Sequence, residues 1–126
     1  EQLIEKEYYD IILNLEIVEH VENLDLYLKS CSNLLKNNGM MFTATINRTL
    51  TSYIKAIVGA EYILRWLPIG THDWNKFLKP EELIEKMSKL NFKNKNVKGL
   101  EFNPFLNKWK RSDNLSVNYI ITNIKN

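Results

Sequence analysis

The sequence predicts an α/β domain in which a parallel βαβ unit is followed by antiparallel strands. Three observations carry this reading. Residues 8–15, YYDIILNL, form a short aliphatic run with little polar alternation, as in a strand buried on both faces. A helical apolar repeat follows, and then a second apolar run at residues 40–46, MMFTATI. Finally, the strand candidates at residues 93–102 and 115–124 have no helix between them to carry a parallel crossover.

The elements follow in order. From Asn23, a predicted N-cap, Leu24, Tyr27, Leu28, Cys31, Leu34 and Leu35 recur at helical spacing, and Gly39 is expected in the turn beyond. Residues 51–67 read as a long helix ended by Pro68. A further helix is predicted over residues 80–90. Pro80 suits its first position, Glu81 and Glu82 its positive end, and Lys86 and Lys89 the other end. The last two strands are expected to pair antiparallel around the loop containing Pro104.

Composition narrows the function classes. A chain of 126 residues, 44% apolar, makes one domain with a real core. Its 17 basic and 15 acidic residues are scattered, so no basic face argues for nucleic acid. Cys31 is the only cysteine, which excludes an internal disulfide and fits a buried thiol in a reducing compartment. Residues 1–10, EQLIEKEYYD, carry charge and no apolar signal core. No apolar run approaches the ~18 residues of a membrane-spanning helix.

Three groups of residues point to chemistry. Glu16, Glu19 and His20 stand directly after the first strand, where ligands of open α/β sheets gather. If Glu16 opens a helical turn, spacings of three and four place all three on one face, as ligands for one divalent ion. Alternatively, the two glutamates simply occupy the positive end of a helix. On the long helix, Tyr53, Ala56, Ile57, Ala60, Ile63, Leu64 and Leu67 form a broad face expected to pack on the core. A second row, Ile54, Val58, Tyr62 and Trp66, lies close to Lys55 and Arg65. It suits a membrane interface or the wall of a lipid-tail pocket, unless Trp74 and Phe77 fold back over it. The loop GTHDW, Gly70 to Trp74, offers His72 and Asp73 as weak catalytic candidates or as a cap and a turn.

Together, YYDIILNLEIVEHV, LLKNNGMMFTATINR, VGAEYILRWLPIGTHDWNKFLKPEEL, GLEFNP and VNYI span nearly the whole chain. In that order they resemble the ubiquinone-biosynthesis O-methyltransferases, which methylate polyprenylated catechols. The resemblance implies a class I S-adenosylmethionine-dependent methyltransferase fold of Rossmann-like type. It also implies Glu16, Glu19 and His20 as ligands of a divalent metal, Mg²⁺ first and Zn²⁺ or Mn²⁺ as alternatives, and Leu15 as a residue near S-adenosylmethionine. The implied enzyme is peripheral, on the matrix side of the mitochondrial inner membrane or at the bacterial inner membrane. Anionic lipid would meet residues 51–67, and other ubiquinone-biosynthesis enzymes are further implied partners.

One departure stands out. The family's glycine-rich turn and the acidic residue after its second strand have no counterpart here, since Gly39, Gly59, Gly70 and Gly99 lie far apart. Residues 1–126 are therefore expected to be the C-terminal part of one methyltransferase domain, inactive alone and prone to self-association through an uncovered sheet edge. The alternatives are a non-catalytic membrane-associating or scaffold fragment, and a methyltransferase acting on another small phenol.

Overall fold

The computed structural model describes residues 7–126, so most of the charged stretch at residues 1–10 lies outside the described residues. Its strands are β1 (Tyr9–Leu15), β2 (Leu35–Ile46), β3 (Phe92–Asn103), β4 (Lys108–Ser112) and β5 (Asn118–Lys125). They form one mixed sheet in the order β1-β2-β5-β3-β4. β1 runs parallel to β2, as the βαβ reading requires, and β5 is antiparallel to both β2 and β3.

The connecting helix α1 (Leu24–Leu34) starts where predicted: the Asn23 side chain accepts a hydrogen bond from the Leu26 amide at 3.0 Å. Its other end is held from across the sheet. Lys125 Nζ donates to the carbonyls of Ser32 (2.6 Å) and Leu35 (2.8 Å), which the helix leaves without internal partners. The predicted turn at Gly39 takes another form. Asn38 adopts the left-handed conformation (φ 64°), and Gly39 lies inside β2. A Cβ there would sit 2.7 Å from Leu35 Cδ1, so glycine is required for space and not for its dihedral freedom.

After β2, a short helix α2 (Leu50–Ser52) leads directly into a wider helical segment with π geometry, Tyr53–Ile63. The later helix α3 (Pro80–Ser88) has Pro80 at its start, and Glu82 accepts from the Lys79 amide at 3.3 Å. Arg48 ties this start to the end of β2 by donating to Glu82 and to the Phe77 carbonyl.

Both α1 and α3 cover the same sheet face. Leu28 and Cys31 from α1 and Leu83 and Met87 from α3 pack with Met41, Tyr119 and Ile121 in one buried cluster. The Tyr119 hydroxyl donates to the Leu78 carbonyl at 2.5 Å, so this large side chain is buried without an unpaired polar atom. On the opposite face Ile11, Leu13 and Leu15 stand exposed among the described residues, so β1 is a strand as predicted but, lying at the edge with no helix over that face, is not buried on both faces.

The end of the chain departs from the expected hairpin. The loop containing Pro104 joins β3 to β4, a strand the sequence reading omitted, and β5 then enters on the far side of β3. β4, KWKRS, is almost wholly exposed and has no buried face, so no apolar alternation announces it. At the crossing from β4 to β5, Gly99 lies against the backbone of Asn114. A Cβ would fall 1.8 Å from the Asn114 carbonyl oxygen. Gly99→Ala should therefore cost at least about 2 kcal/mol in a denaturant titration. A loss within ~0.5 kcal/mol would show that the 112–114 turn yields freely.

Candidate active site

The carboxyl end of β1 is where the sequence places the chemistry, but the three predicted metal ligands do not converge there. Glu16 has φ 53° and stands outside the single 3-10 turn Val18–His20, so the helical spacing that would align it with Glu19 and His20 does not apply. Glu16 and His20 are exposed, whereas Glu19 is buried and accepts a hydrogen bond from Thr45 Oγ1 at 2.8 Å. Among the described residues no group of three acidic, histidine or cysteine side chains is arranged to hold a metal ion. The trio as placed does not fit one, although Glu19 Oε1 is buried without a partner. Leu15, the residue expected near the methyl donor, is exposed at the end of β1.

The segment predicted as one helix over residues 51–67 is shorter and wound differently. The Leu64 amide bonds to the Gly59 carbonyl, an i→i+5 contact, and Arg65 then takes a left-handed conformation that ends the helix before Pro68. Winding decides which face is buried. Ser52 and Glu61 are nine residues apart, about two and a half α turns. In the wider helix they come close to two full turns, and both point inward. The broad face expected on the core is consequently displaced: Tyr53, Ile63, Leu64 and Leu67 are exposed. Trp74 and Phe77 do not cover the second row. Trp74 packs edge-on against Tyr53 and donates to the Thr49 carbonyl, while Phe77 is buried beside His72.

Glu61, which sequence reading passed over, organises the loop that follows. Its carboxylate is 1% exposed and accepts from the Gly70 amide (2.6 Å), the His72 amide (3.1 Å) and His72 Nδ1 (2.9 Å). Burial alone would push this carboxyl up; the hydrogen bonds from the His72 ring and the two amides outweigh it and hold it below the usual carboxylate value. An ionised carboxylate only accepts, so Nδ1 carries the ring proton and Nε2 of a neutral His72 is left with a lone pair. Asp73, by contrast, is a cap, accepting from the Asn75 amide. The one signal that could have found Glu61 is its place as the sole charge between Lys55 and Arg65.

His72 lines a half-open cavity of about 970 Å³ between the π segment and the β3–β4 hairpin. Ile46, Ile54, Ala60 and Phe102 give it apolar walls, and Glu16 reaches it from the end of β1. A proton acceptor beside an apolar cavity at the carboxyl edge of a sheet is an arrangement for binding and activating a largely apolar molecule.

Comparison with known proteins bears on the fold. No family model matches the chain. A curated relative from Pelagibacter ubique, named ubiquinone biosynthesis O-methyltransferase, is 57% identical over all 126 residues, which make up 52% of that protein. The protein of the same name from Bartonella bacilliformis is 51% identical over 122 residues, 96% of this chain and 49% of its own. Among solved structures, an S-adenosylmethionine-dependent methyltransferase from Thermotoga maritima superposes with a TM-score of 0.71 at 17% identity, covering all of this chain and 60% of that one. Another from Archaeoglobus fulgidus gives 0.65 at 20% identity, covering 95% of this chain and 61% of its own. The fold is that of the S-adenosylmethionine-dependent methyltransferases. The chain spans about half the length of the curated relatives it matches.

The Glu61 clamp has a pH signature. A carboxylate held below its usual value of 4.5 contributes stability that is full above that value and is lost as pH falls through the lower folded one. Melting curves for wild type and Glu61→Gln should thus differ most above pH 4.5 and draw together as the pH falls below it. Parallel curves over that range would show that the carboxylate charge adds nothing.

Proposed function

We propose that this chain is part of an S-adenosylmethionine-dependent O-methyltransferase acting on the phenol oxygen of a polyprenylated catechol, as in ubiquinone biosynthesis. The observation that carries the proposal is His72, bonded to the buried Glu61 and lining an apolar cavity, in a chain 57% identical to a relative named ubiquinone biosynthesis O-methyltransferase. S-adenosylmethionine supplies, when bound, a methyl group on a positively charged sulfur.

A phenol ionises near pH 10, so a neutral catechol is a poor nucleophile at neutral pH. His72 Nε2 accepts the phenol proton, leaving the oxygen to take the methyl group, and Glu61 orients the ring and stabilises the imidazolium that forms. The apolar walls exclude water and hold the substituted ring, and Ile54 and Trp66 from the second helical row serve as cavity wall for the tail. Tyr62, exposed on the same segment, and Val58 are left for the membrane surface. Binding of anionic lipid there, at the inner membrane of a mitochondrion or bacterium, belongs to the same proposal, as does contact with other enzymes of the route. The exposed β1 face supports self-association of the 126-residue chain taken alone.

Divalent-metal assistance through Glu16, Glu19 and His20 is the finer part of the proposal, and it requires Glu16 and His20 to turn toward Glu19 from the positions they hold here. The unpaired buried Oε1 of Glu19 supports it, and no chemical step is derived through it. Chelator treatment of the full-length protein should lower activity and Mg²⁺ restore it; activity unchanged by chelation removes the metal from the account.

The decisive experiment compares two catechols. In the full-length protein His72→Gln should lower methyl transfer to a short-tailed catechol by roughly 10²–10⁴. On a nitrocatechol, already ionised at the assay pH, the loss should shrink to less than about tenfold. Equal losses on both would make His72 a structural residue, and a wild-type protein that methylates neither would refute the reaction.

A further inference from the structure

Among the described residues the most exposed large apolar side chain is Phe105, 95% exposed at the tip of the β3–β4 hairpin, and Leu106 beside it is 66% exposed. Isolated exposed apolar residues are common, but these two project together from a turn whose shape is held in place. Asn103 Oδ1 accepts from the amides of both Phe105 (3.0 Å) and Leu106 (3.2 Å), Pro104 restricts the backbone between, and Asn107 closes the turn in the left-handed conformation (φ 49°). The tip is presented to solvent and does not fold back on the sheet.

What lies behind the tip is ordered by the strand register. Asn103 faces Lys108 first, then Phe102 faces Trp109 with ring centroids 5.1 Å apart, then Glu101 faces Lys110, and Leu100 faces Arg111. Two apolar side chains at the apex, an aromatic pair beneath them and cations alongside are the sequence of polarities met on passing from acyl chains through the headgroup layer. The charge balance agrees. Lys98 pairs with Asp113 and Lys110 lies 3.8 Å from Glu101, which leaves Lys108 and Arg111 without an acidic partner among the described residues. Phe105 and Pro104 are also among the residues lining the cavity that His72 lines.

We propose that the β3–β4 hairpin is a membrane-docking element: Phe105 and Leu106 enter the acyl region of an anionic bilayer, and Lys108 and Arg111 meet its headgroups. The element deepens the proposed function, because a polyprenyl tail would pass from the bilayer along the hairpin rim into the cavity. Its evidence is the hairpin surface itself. A hairpin tip of this size cannot cross a membrane, and among the described residues no helix is long and apolar enough to do so, so the contact is peripheral and reversible. The cationic part should weaken with salt.

The test is co-sedimentation of the full-length protein with vesicles of phosphatidylglycerol and phosphatidylcholine in equal parts, and of phosphatidylcholine alone. Wild type should bind the anionic vesicles more tightly, and Phe105→Ser with Leu106→Ser should weaken that binding by roughly tenfold or more. Lys108→Glu with Arg111→Glu should abolish the preference for anionic vesicles and the salt dependence. This second variant also decides the question if the first does not fold. Binding unchanged in both hairpin variants would overturn the proposal. If Val58→Glu with Tyr62→Glu then removed binding, the lipid contact would belong to the helical segment and the function proposed above would stand. Failure of the wild type to bind either vesicle would overturn the hairpin as a membrane element, while methyl transfer to a soluble catechol would still report on the reaction.

Discussion

The last strand in the chain is the middle strand of the sheet, and the remaining elements depend on its pairing. β5 satisfies β2 on one side and β3 on the other, so without it the βαβ unit and the hairpin would each present an open edge. Its inward residues Tyr119 and Ile121 complete the cluster under α1 and α3, and its Lys125 supplies the donors that the end of α1 lacks. Asn118, opposite Ile46, brings the carboxyl end of β2 against β3. Both residues border the cavity. The site is therefore a consequence of the sheet order and cannot form from either half of the chain alone.

The second constraint is a buried charge. Removing a carboxylate from water costs several kcal/mol unless its oxygens are fully bonded. Glu61 meets that condition with two backbone amides and one imidazole, all from residues 70–72. The requirement works in both directions: the carboxylate is tolerated because the loop folds over it, and the loop is ordered because the carboxylate needs donors. The π winding belongs to the same arrangement, since α winding would turn Ser52 and Glu61 to opposite sides of the helix. Wider helical turns of this kind recur at functional sites.

Much of this was legible in the sequence wherever a local rule and a buried face coincided. The Asn23 cap of α1, the Pro80 start of α3 and the lack of a crossover helix before β5 each rest on such a rule, and each is found in the structure, while the aliphatic run of β1 marks a strand but leaves one of its faces exposed. The errors have equally physical causes. β4 has no buried face and so carries no periodic signal. The helical rows of residues 51–67 were drawn at α spacing, which the π segment does not follow. The ligand trio assumed a helical turn beginning at Glu16, whose left-handed backbone starts the turn two residues later. His72 was visible as a candidate, but its partner was not, because Pro68 and Gly70 interrupt the chain between Glu61 and His72, so no continuous helix or strand relates the two.

The account stands most directly on the protonation of one ring. If the buried Glu61 carboxylate holds His72 at Nδ1, a long-range proton–nitrogen correlation spectrum of ¹⁵N-histidine-labelled full-length protein near pH 8 will show His72 with the proton on Nδ1 and Nε2 unprotonated. That pattern should disappear in Glu61→Gln. A wild-type His72 with its proton on Nε2 would leave no lone pair there to accept a proton and would contradict the assignment of this site.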